Sequence, residues 1–75
     1  MNVEVTLKAD TNIIGKLCKF DESLISVEIN KDVMSPDLLQ KLWDDGVYCQ
    51  ELISTHNWHI IIFRRDIKTI EFIWS

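Results

Sequence analysis

Hydrophobic and polar residues alternate along the first third of the chain. Val3, Val5 and Leu7 are interleaved with Glu4, Thr6 and Lys8, a period of two that marks a strand with one buried face, over about 2–8. Ala9-Asp10-Thr11-Asn12 supplies short polar side chains that favour a turn. A second strand over about 13–20 follows, with Ile13, Gly15 and Leu17 on one face. Phe20 falls out of step, so this strand is expected to bulge or bend sharply, and Gly15, lacking Cβ, is where curvature is cheapest. After a turn at 21–23, Ile25, Val27 and Ile29 define a third strand over about 24–30.

The alternation stops at Asn30-Lys31-Asp32. Ser35-Pro36-Asp37 reads as a helix start, with Ser as N-cap, Pro at the first helical position and Asp near the positive end of the dipole. Leu38, Leu39, Leu42 and Trp43 make an apolar stripe and Gly46 suits the left-handed residue after the end, so the helix covers about 36–45. Asp44 and Asp45 close it against the dipole, which disfavours each by about 0.3–1 kcal/mol, with no reason visible in the sequence. Residues 47–53 suit a helix through Gln50-Glu51-Leu52 and a strand through Val47-Tyr48 and Ile53; we read a strand. Beyond the polar loop 54–57, residues 58–74 hold six Ile, two Phe and two Trp, with no Gly or Pro. Such β-branched and aromatic density predicts two strands, about 58–64 and 67–74, turning at Arg64-Arg65-Asp66 and forming a closing hairpin.

Composition narrows what this β-rich chain can be. Its 75 residues make one domain, of a size that buries about 60% of the unfolded surface, so oligomerisation is the expected extra source of stability. Twelve acidic against eight basic side chains give a net charge of −4, which disfavours capture of long double-stranded DNA but leaves room for a local basic site. The first residues lack the cationic start and apolar run of a signal peptide, and no apolar run reaches membrane-span length, so a cytoplasmic chain with no membrane partner is expected. Cys18 and Cys49 are read as reduced thiols.

Two segments carry a resemblance. Gly15-Lys-Leu17-Cys-Lys-Phe20-Asp21, with Ile13 two positions and Leu7 eight positions before the Gly, resembles the first motif of Sm-like proteins. Ile62-Phe63-Arg64-Arg65-Asp66-Ile67-Lys68-Thr69-Ile70 resembles their second, an apolar strand turning through basic residues into I-x-x-I. The resemblance implies an SH3-like or Sm-like barrel of five strongly bent strands and a ring in which a strand of one copy pairs with a neighbour. That expectation agrees with a physical one, because two long apolar strands without Pro leave sheet edges that need a cover. The family's N-terminal helix is absent here, and the helix read at about 36–45, inserted after the third strand, also departs from the family.

The best chemistry in the chain is cationic. Arg64 and Arg65 at a strand corner, with Lys68 behind them, form the candidate ligand-binding set, since guanidiniums grip phosphate or carboxylate bidentately. The plainer reading is that the arginines keep a hydrophobic turn in water or pair with Asp66 and Glu71. The resemblance places RNA contacts at this turn in bacterial chaperones of the family, but their stacking aromatic and its Gln neighbour correspond here to Ser23 and Glu22, which weakens the case for uridine-rich RNA. Trp43, Trp58, Ile61, Phe63, Phe72 and Trp74 are candidate interface residues, the tryptophans, with Tyr48, being more often core or interface than a base-stacking platform. His56, His59 and Cys49 lack the paired spacing of a zinc site, and no nucleophile, acid–base pair or phosphate loop is present, so neither metal, cofactor nor catalysis is expected.

The leading expectation is therefore a non-enzymatic, homo-oligomeric small β-barrel that binds an anionic ligand, short single-stranded RNA or a small nucleotide, through its basic turn. The alternative is a small acidic protein-interaction module or inhibitor, of the kind a phage encodes, docking on a host protein through helix 36–45.

Overall fold

The computed structural model describes residues 1–74. In chain order its elements are β1 (Asn2–Leu7), β2 (Asn12–Phe20), β3 (Leu24–Ile29), α1 (Pro36–Asp44), β4 (Tyr48–Glu51), β5 (Trp58–Phe63), a 3₁₀ turn (Arg64–Asp66) and β6 (Ile67–Ile73). The strands form one antiparallel sheet in the order β4-β5-β3-β2-β1-β6. Its two border strands, β4 and β6, are not hydrogen-bonded to each other, so the sheet does not close into a barrel. The mostly-β expectation with one helix after the third strand is met, and residues 47–53 supply a sixth strand, β4, where a barrel of five was expected. Among the described residues no helix is long and apolar enough to cross a membrane.

One expectation is overturned. The strands around Arg64–Asp66 do not form a hairpin: β5 pairs with β3 and β4, whereas β6 pairs with β1. The corner is tied to two different turns, the Arg64 N–H donating to Ser23 O at 2.9 Å and the Lys8 N–H to Asp66 O at 2.9 Å. Held at both ends, the 3₁₀ turn redirects the chain instead of folding it back, and β5 and β6 leave it for opposite flanks of the sheet.

The alternating residues converge as their periods dictate. Val3, Val5, Leu7, Ile13, Ile25, Val27, Ile29, Ile60 and Ile62 are buried on one face, and Ile67 and Ile70 pack against them. The irregularity in β2 falls at Cys18: Leu17 faces Val27 and Lys19 faces Ser26, so one residue is left unpaired. This bulge, rather than a bend at Gly15, throws Phe20 out of step. Gly15 has a different role, since a Cβ there would lie 2.8 Å from the backbone oxygen of Glu28. The strands come that close only because the side chain is missing.

Helix α1 forms as its caps dictate: Ser35 Oγ accepts the Leu38 N–H at 3.1 Å and Pro36 opens the first turn. Leu42 is fully buried, Leu38 and Leu39 lie partly buried against the core, and Gly46 ends the helix at φ +79°. The two unexplained aspartates find partners here. Asp45 accepts a 2.8 Å bond from the Thr11 hydroxyl, linking the helix end to the β1–β2 turn, and Asp44 accepts from Gln40 at 2.9 Å. Each bond offsets the unfavourable dipole position by about 1 kcal/mol.

Candidate functional site

The 3₁₀ turn places two successive residues about 120° apart around its axis, so Arg64 and Arg65 must point to different neighbours. Arg64 lies over the ring of Phe20, with its guanidinium carbon 4.7 Å from the centroid, and its Nη1 donates to Asp21 O at 3.2 Å. Arg65 lies over Phe63 at 5.2 Å. Phe20 in turn meets Phe72 at 5.7 Å between ring centroids, tilted by 48°. The result is a row of guanidinium and ring in which β2, β6 and the corner each contribute a member.

Among the described residues the ion pairs are Lys19–Asp21 and Lys68–Asp10, with His56 also in contact with Glu51, so neither arginine is joined to a carboxylate. The pairing of Arg64 and Arg65 with Asp66 and Glu71, one of the two plainer readings, is not found among the described residues. Stacking on an aromatic face holds each guanidinium in place while leaving N–H groups for an anion, a contact worth about 0.5–1 kcal/mol at an exposed site. Lys68 is not brought to this set: its Nζ sits 3.1 Å from Asp10 Oδ1.

The candidate interface residues separate into three groups. Phe63, Phe72 and Trp74 remain 47%, 42% and 79% exposed around the corner and along β6. Trp43, 51% exposed, is on α1. Trp58 packs against the core and Ile61 is half-buried opposite Ser26 and Tyr48. Phe20 and Asp21 belong to the site although sequence reasoning assigned them no binding role. The signal available for Phe20 was its break from the alternation of β2.

The remaining polar chemistry is structural. Ser26, the one buried polar residue among those described, hydrogen-bonds to Nε2 of His59, and Asn57 donates to Glu28 at 2.8 Å. His56 occupies a left-handed position at φ 63° in the β4–β5 loop. No group of three His, Cys, Asp or Glu among the described residues is arranged to hold a metal ion. A cleft of about 320 Å³ between the β1–β2 turn and the end of α1 is lined by Asp10, Asp44, Asp45 and Lys41 and does not include the arginine corner. Comparison with protein-family models, curated proteins and solved structures finds no match to this chain.

Proposed function

We propose that this chain is a non-enzymatic binding module in which the Arg64–Arg65 corner docks an anionic group of its ligand. The observation that carries this reading is the pair of guanidiniums, each stacked on a phenylalanine and neither joined to a carboxylate among the described residues. Desolvated on one face and prefixed in position, they meet phosphate or carboxylate without first breaking an internal ion pair. Short single-stranded RNA and small nucleotides belong to this class of ligand, and the Sm-like motif spacing supports them, while Glu22 and Ser23 count against uridine recognition.

The test follows the arginine Nε–H resonances by NMR during titration with sodium tripolyphosphate. Arg64 and Arg65 are the chain's two arginines, and both resonances should shift saturably. Arg64→Glu, which keeps Arg65 as reporter, should weaken the titration, and calorimetry on Arg64→Glu/Arg65→Glu, with its amide spectrum still folded, should show binding lost. Arginine resonances that stay still, or tripolyphosphate binding that persists in the double variant, would overturn the reading. The bare borders of the sheet at β4 and β6 favour a second reading, in which copies join border to border into an Sm-like assembly that repeats the corner. Native mass spectrometry reports that state directly.

A further inference from the structure

Strand β6 starts at the arginine corner and has β1 on one side only. Its other side offers main-chain N–H and C=O groups along a seven-residue border, against four residues at β4. Such a border is a template for one more strand. The ends of this one differ in chemistry. Arg64 and Arg65 stand immediately before it, and Trp74, largely open to solvent, stands just past its far end. A strand added antiparallel would finish beside the arginines and begin beside Trp74.

We infer that β6 accepts an extended acidic segment of another protein as an added antiparallel strand, its apolar start against Trp74 and its carboxylates on Arg64 and Arg65. This rests on the anion-docking reading above and names the ligand class. Charge selects the occupant. Two guanidiniums match the few carboxylates at one end of a peptide, whereas a polynucleotide draws its affinity from many phosphate contacts spread along its backbone. The other cation on β6 is already bound to Asp10, and Glu71 stands directly across from Glu4, so the strand beyond the corner repels a continuous polyanion.

Fluorescence anisotropy with the intact protein tests this, using a fluorescein-labelled peptide of about eight residues, alternating Val and Thr and ending in Glu, matched to the length of the strand. Binding should weaken by roughly tenfold or more in Arg64→Glu/Arg65→Glu. Because an added strand uses the N–H groups of one side only, N-methylation of one alternating set of peptide residues should abolish binding, and methylation of the other set should leave it nearly unchanged. Indifference to both methylation patterns overturns the proposal, as does tighter binding of an oligouridylate of equal length. It is also overturned by a sedimentation profile in which the peptide fails to bind because copies of the chain already occupy the border. If oligouridylate binds through the two arginines and the peptide does not, the anion-docking reading survives and the strand proposal falls; if neither binds and tripolyphosphate leaves the arginine resonances unmoved, both fall.

Discussion

At the scale of single residues, burial alone separates the two cysteines. Cys18 is exposed at the bulge of β2, while Cys49, half-buried against the core, has its thiol pushed up from 9 to about 11 by desolvation. A thiol held more tightly protonated in the folded chain contributes stability that is complete below about pH 9 and is lost as the pH rises toward 11. Iodoacetamide near pH 8 should therefore label Cys18 roughly tenfold or more faster than Cys49, and Cys49→Ala should lose less stability than the parent between about pH 9 and 11 in urea titrations. Equal labelling rates, or the same loss in both proteins, would contradict this assignment. Neither difference was legible in the sequence, where Cys18 and Cys49 are simply two thiols, because desolvation depends on which strands cover them. Asp45 makes the same point: its tie to Thr11 joins residues far apart in the chain, and no local pattern records it.

At the scale of elements, local periodicity was legible and pairing was not. Alternation located β1, β2 and β3, and Ser35, Pro36 and Gly46 bounded α1 almost to the residue, because these features depend on backbone neighbours. The hairpin expected at Arg64–Asp66 failed because its outcome rests on Ser23 and Lys8, which hold the corner from two distant turns. Register then creates contacts that no single strand reveals. Glu4 and Glu71 are Cα partners across β1 and β6, so two like charges stand directly opposite on the face away from the core. Glu71→Lys should replace that repulsion with a cross-strand ion pair and raise the unfolding free energy by about 0.2–1 kcal/mol. Urea denaturation at low salt measures it, and a variant no more stable than the parent would show that Glu4 is already balanced by its 3.0 Å bond from Asn12.

For the molecule as a whole, the candidate site was legible only in its cations. Arg64 and Arg65 announced themselves as a basic spot in an acidic chain, but the rings beneath them come from β2 and β5, and Phe72 from the opposite flank of the sheet. The same topology sets β1 beside β6, with Asn2 opposite Ile73, so the first and last strands are neighbours. A permuted chain, with a short Gly/Ser linker joining the Trp74 side to Met1 and an opening in the exposed loop 53–56, turns that distant pairing into a local one. Its relative contact order falls, and stopped-flow refolding should be several-fold faster at nearly unchanged stability. An unaltered rate would mean that β1–β6 docking is not part of the rate-limiting step. In the natural order, β1 leaves the ribosome long before the strand that flanks it is made. Its exposed side must wait through the synthesis of every other element, and the sheet cannot be completed until translation has reached β6.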